Sequence, residues 1–127
     1  MNGNEMSDLI TSYIEAYNDF DVEGMLRLLH EKVVFRNVAN GVVDTETKGI
    51  EEFRMLAEQS AKLFAQRRQT IKEMTIDGDR AEIEIDYEGT PAIDLPNGLK
   101  AGETIRLGGK SIFYVKNGKI IVLEDHS

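Results

Sequence analysis

Two residues of this chain, Tyr13 and Asn37, combine types and placement from which acid–base chemistry can start. A helix tyrosine facing a polar strand residue across a cavity can donate a hydrogen bond to a developing oxyanion. Asn37 cannot take a proton as a carboxylate does, so beside Tyr13 it acts as a second polar wall residue and not as a base. In the register of the last hairpin, Lys110 falls opposite Asp125. A buried lysine beside an aspartate holds the carboxylate ionised, as a base requires. Each residue also has a plainer role. Tyr13 and Tyr17 sit on an apolar helical stripe, and Asn37 can shape the turn before Asn40-Gly41. Asp125 can pair with Lys110 or stand solvated near the C-terminus.

Other chemistries lack their residues. The chain has no cysteine, which removes disulfides, thiolate metal sites and cysteine nucleophiles. Its two histidines are far apart, so no histidine-rich metal site is expected. His30 falls where the end of a second helix would favour a cation, and His126 is expected at the surface. No glycine-rich nucleotide loop, His-Glu-x-x-His or Gly-x-Ser-x-Gly is present, and no cofactor is expected. The formal net charge is −8 without a basic run, which argues against nucleic acid and anionic membrane partners. Met1 to Met6 is polar and unlike a signal peptide, and no apolar run approaches the ~20 residues of a membrane span, so a cytoplasmic location is expected.

The elements that must position these residues follow from periodicity. At 127 residues the chain fits one domain, 1–127, with a real hydrophobic core. Ser7 is a good helix N-cap, followed by the stripe Leu9, Ile10, Tyr13, Ile14, Tyr17 and Phe20. Asp21 can cap a second helix, with Gly24 inside it at a cost of about 1 kcal/mol relative to alanine. Val33 to Val38 reads as a strand in which Asn37 shares parity with Val33 and Phe35, and Asn40-Gly41 as a turn. A third helix carries Ile50, Phe53, Leu56, Ala57 and Phe64. From Gln69 onward the pattern is antiparallel strands, with turns at Asp77-Gly78 and Asn117-Gly118. The row Glu82, Glu84, Asp86 and Glu88 should face water. The loop from Gly89 to Glu103 holds both prolines, and long loops of this kind often rim a binding site.

A two-residue Asn-Gly turn sets the last hairpin so that Tyr114 opposes Ile121, Ile112 opposes Leu123 and Lys110 opposes Asp125, unless Gly108-Gly109 introduces a bulge. One face then holds Lys110, Ile112, Tyr114, Ile121, Leu123 and Asp125. The other holds Ser111, Phe113, Val115, Ile120, Val122 and Glu124. Both faces are apolar, and too few helices exist to cover both, so a homodimer packed sheet against sheet is expected.

Two helices, a strand, a third helix and a long meander resemble the nuclear transport factor 2-like superfamily, particularly its SnoaL-like and ketosteroid isomerase-like branches. The resemblance rests on Tyr13-Ile14-Glu15-Ala16-Tyr17-Asn18, Asp21-Val22-Glu23-Gly24, Val33-Val34-Phe35, Lys48-Gly49-Ile50 and Asn117-Gly118-Lys119-Ile120, and runs from about Ser7 to His126. It implies an α+β fold: a cone-shaped, curved, mixed but mainly antiparallel sheet covered by three helices and enclosing a pocket. It also implies diverse activities, among them isomerases, cyclases, dehydratases and epoxide hydrolases, so fold alone does not name the reaction. Ketosteroid isomerases pair a helix tyrosine and a protonated acid with a strand carboxylate. Here the tyrosine matches Tyr13, the base position matches Asn37, and the second acid falls on Lys110 or Ser111. The resemblance therefore implies that the usual isomerase mechanism is absent. SnoaL-like cyclases use an acidic residue in the last strands, which matches Asp125.

Two functional readings follow. In the first, a cofactor-free enzyme acts on a small, largely apolar molecule, with Asp125 moving the proton and Tyr13 and Asn37 donating hydrogen bonds. Tyr17, Phe35, Lys110, Ile112, Tyr114 and Leu123 complete the expected pocket. In the second, the domain binds a ligand or dimerises without catalysis.

Overall fold

The computed structural model describes residues 1–96 and 98–127. The first helix, α1 (Gly3–Asn18), starts earlier than Ser7 because Asn2 and Glu5 form a capping box. Asn2 accepts from the Glu5 amide while the Glu5 carboxylate accepts from the Asn2 amide, which satisfies two otherwise orphaned donors. The short α2 (Val22–Arg27) is capped by Asp21, whose Oδ1 accepts from the Gly24 amide at 2.9 Å. Gly24 is required by that cap: a Cβ there would lie 2.2 Å from Asp21 Oδ2.

Strand β1 (Leu29–Ala39) follows and is longer than its β-branched centre suggests. His30 therefore lies in a strand and not at a helix end, and its Nδ1 accepts from the Lys32 amide. Asn40 and Gly41, both at positive φ, turn the chain into β2 (Val42–Lys48), a polar edge strand that periodicity did not reveal. Next come α3 (Ile50–Leu63), β3 (Phe64–Asp77), β4 (Arg80–Pro91), β5 (Ile105–Lys116) and β6 (Lys119–His126). Phe64, expected on the third helix, opens β3.

The strands form one six-stranded sheet in the order β2-β1-β6-β5-β4-β3. Every pairing is antiparallel except β1 with β6, which run parallel in the middle of the sheet. The sheet curls without closing, and α1 and α3 lie against its concave face over β3 and β1. The core is one cluster there: Met6, Ile10 and Ile14 from α1 meet Val33, Ile83, Phe113, Ile120 and Leu123 from the sheet. Phe113 is fully buried, with the Tyr13 ring edge-on at 5.9 Å.

The last hairpin corrects the expected register. Asn117 and Gly118 do take positive φ, and Val115 does oppose Ile120. Ile121 is then an extra residue, so Tyr114 pairs with Val122, Phe113 with Leu123, Ser111 with Asp125 and Lys110 with His126. The bulge sits beside the turn and not at Gly108-Gly109, which pair regularly with β4. One inserted residue reverses the parity of everything beyond it. Asp125 and Leu123 therefore share the concave face with Ser111 and Phe113. Lys110, Ile112 and Tyr114 point to the convex face, where Lys110 pairs with Glu82 at 3.8 Å and Tyr114 is 40% exposed.

Candidate functional site

The concave face and the helices leave a cavity of about 250 Å³. Its walls come from α1 (Tyr13, Tyr17), β1 (Phe35, Asn37), α3 (Phe53, Leu56, Ala57, Ser60), β3 (Arg67) and β6 (Asp125), with Met25 and Thr45 completing it. Phe35 packs edge-on against Phe53 with centroids 5.8 Å apart, an apolar flank. Among the described residues, the loop after β4 contributes nothing to this lining, so it does not rim the cavity as its length suggested. Asn97, within that loop, lies outside the described residues.

Asp125 stands between two neighbouring strands. Asn37 is its partner on the parallel β1, and Ser111 its partner on the antiparallel β5. Ser111 Oγ donates to Asp125 Oδ1 at 2.7 Å, while Oδ2 has no hydrogen bond among the described residues. Burial pushes the Asp125 carboxyl above its ordinary range, and the Ser111 hydrogen bond and the nearby His126 partly oppose that shift. Asn37 Nδ2 is held by the Asp44 carboxylate at 3.0 Å and 3.2 Å, which orients the amide from the edge strand.

Tyr13 is 4% exposed, and its hydroxyl has no hydrogen-bond partner among the described residues although it borders the cavity. Burial, and then the negative charge of Asp125, raise its pKa well above the usual phenol range, so it stays a proton donor at neutral pH. Tyr17 is raised as well, chiefly by burial, with Arg67 opposing. The end of α1 is tied to β3 by a reciprocal pair: Asn18 Nδ2 donates to the Gln69 carbonyl at 3.0 Å, and the Gln69 amide donates to Asn18 Oδ1 at 2.7 Å. Arg67 Nε donates to the Tyr17 carbonyl at 3.1 Å.

The structure thus brings Tyr13, Tyr17, Phe35, Asn37 and Asp125 to one cavity. Lys110, Ile112 and Tyr114 lie on the other side of the sheet because of the bulge, and Leu123 is buried in the core beneath the cavity wall. A Lys110–Asp125 pair does not form, and Ser111 takes that place. An Arg67-Arg68 pair reads in the sequence as solvated surface, yet Arg67 is buried. Its parity with Gln69 and the half-buried Ile71 was the available signal, and those alternate residues do turn inward. Among the described residues, no cluster of His, Asp and Glu could hold a metal ion, and no helix is long and apolar enough to cross a membrane.

Comparison with known proteins matches this architecture. Among solved structures, a protein of Xanthomonas campestris provisionally named a polyketide cyclase superposes with a TM-score of 0.79 at 22% identity, over 100% of this chain and 93% of that one. A similarly named protein of Pseudomonas putida gives 0.75 at 24% identity, covering 94% and 88%. An NTF2-like protein of unknown function from Burkholderia pseudomallei gives 0.79 at 20% identity, covering 98% and 91%. No curated protein matches the chain significantly. These likenesses establish a nuclear transport factor 2-like fold. Residues 10–123 match the family described as SnoaL-like domain, nearly the whole chain, so the protein belongs to the SnoaL-like domain family.

Proposed function

We propose that the protein is a cofactor-free proton-transfer enzyme of the isomerase or cyclase type, acting on a small, largely apolar carbon acid. The observation that carries this reading is Asp125: one carboxylate oxygen is held by Ser111, and the other is unbonded in a residue lining the cavity. Desolvation raises the basicity of that carboxylate, which improves it as a base once ionised. The unpaired Tyr13 hydroxyl supplies a donor for the enolate oxygen formed as Asp125 removes a proton from the adjacent carbon. Phe35, Phe53 and Leu56 provide the apolar walls, and Asn37 orients a polar edge of the substrate. A volume of about 250 Å³ lies just under the common pocket range of ~300–1,000 Å³, which favours a molecule of one or two rings. The polyketide-cyclase names of structural neighbours are compatible with such chemistry.

The test is deuterium incorporation from heavy water into β-tetralone, dimedone and ethyl acetoacetate, followed by proton NMR. Exchange catalysed by the wild type should fall by ~10²–10⁴-fold in Asp125→Asn. Equal exchange by the two proteins would remove Asp125 from its role.

The alternative, a non-catalytic binding or dimerisation domain, is supported by Tyr114, 40% exposed on the convex face beside Val122. A homodimer through that face is compatible with either function, and light scattering of the wild type and Tyr114→Glu reads it directly.

A further inference from the structure

We propose that the cavity's ligand is a small carboxylic acid bound in its ionised form, with its carboxylate on Arg67 and its apolar body against Phe35 and Phe53. This rests on the preceding reading in one respect: it takes the same cavity as the substrate site.

Arg67 is 6% exposed, in a chain whose formal net charge is −8, yet it has no carboxylate partner among the described residues. Its Nη2 is buried without a hydrogen-bond partner among the described residues. A buried cation is costly unless paired, so its surroundings must compensate. Part of that compensation is visible. The guanidinium carbon lies 3.8 Å from the centroid of the Tyr17 ring and 4.5 Å from that of Phe20. Phe20 reaches that position from a backbone at φ 56°, a strained conformation for an aromatic residue.

A purely structural role for Arg67 accounts for less than this. Its Nε bond to the Tyr17 carbonyl suits a cation at the end of α1. The Asn18–Gln69 pair already anchors that end, however, and neither contact uses Nη2. The planar guanidinium is thus oriented by two rings and one carbonyl, with Nη2 buried and unpaired among the described residues, in a residue that borders this cavity and also a second cleft lined by Asn18, Asp19 and Glu88. Such a preorganised donor matches a carboxylate oxygen through a charge-assisted hydrogen bond. Tyr17, whose ring stacks on the guanidinium, lines the same cavity. Asp125 lines the same cavity and does not pair with Arg67 among the described residues, so a ligand carboxylate on Arg67 need not displace a bond to Asp125.

The experiment compares benzoate with benzamide, which share shape and differ in charge, by calorimetric titration of the wild type. Benzoate should bind at least about tenfold more tightly. Arg67→Met should erase that preference while leaving benzamide affinity within about twofold, and Arg67→Lys should restore part of it by returning the charge without the fork. Equal affinities in the wild type, no benzoate binding at millimolar concentration, or a preference that survives Arg67→Met would each overturn the proposal. The wild-type comparison needs no variant, so misfolding of Arg67→Met cannot obscure it. Benzoate preference and Asp125-dependent deuterium exchange are separate readouts, and either can fail while the other stands.

Discussion

Ser111 Oγ and Asp125 Oδ1 are 2.7 Å apart across the β5–β6 ladder, and this bond exists because Ile121 bulges out beside the turn. In a regular ladder, with Ile121 paired to Tyr114, Asp125 would face Lys110. The neutral hydroxyl leaves the carboxyl raised by burial, where an ammonium group would have lowered it. Ser111 still acts against the burial effect. In Ser111→Ala the acid limb of the exchange rate against pH should therefore move to higher pH, while Asp125→Asn should show no limb at all. Rate profiles of the three proteins check this.

Tyr13→Phe should keep the fold, since the ring's edge-on contact with Phe113 involves no hydroxyl. Loss of the Tyr13 hydroxyl should lower turnover by roughly 10²–10³-fold, the range for removing an oxyanion donor. Circular dichroism and deuterium exchange, measured together, separate the two effects.

Asp125 should also leave a signature in stability. Its folded pKa lies above its unfolded value, so the folded state binds the proton more tightly. Its contribution is therefore fully present below the unfolded value of about 4 and is lost as pH rises through the raised folded value. Asp125→Asn should flatten that descending part of the curve. Urea denaturation at stepped pH measures it, and an unchanged slope would contradict the buried-carboxyl account.

Gly24 and Asp21 should be energetically coupled. Gly24→Ala gains about 1 kcal/mol of helix propensity but displaces the Asp21 carboxylate, whose cap is worth about 1 kcal/mol. The single substitution should therefore be close to neutral. In an Asp21→Ala background it should stabilise by nearly the whole propensity gain, and a double-mutant cycle by urea denaturation reads the difference.

Sequence alone determined the features whose cause is local. The stripe from Leu9 to Tyr17 marks a helix because its period repeats within a few residues, and Tyr13 lies inward on it. Asn40-Gly41 and Asn117-Gly118 mark turns because their residue types tolerate positive φ. Asn37 points to the cavity because strand parity from Val33 and Phe35 carries to it unbroken. The tertiary structure decided what depends on distant partners. Strand β2 owes its place at the sheet edge to pairing with β1, since its own residues are mostly polar. The parallel pairing of β1 with β6 sets Asn37 beside Asp125 across more than half of the chain length. Ile121 carries no local mark of a bulge, yet it reversed the face of Lys110, Ile112 and Tyr114 and gave Asp125 its serine. Arg67 is buried because the end of α1 and two aromatic rings close over it, contacts that no neighbouring residue in the sequence announces.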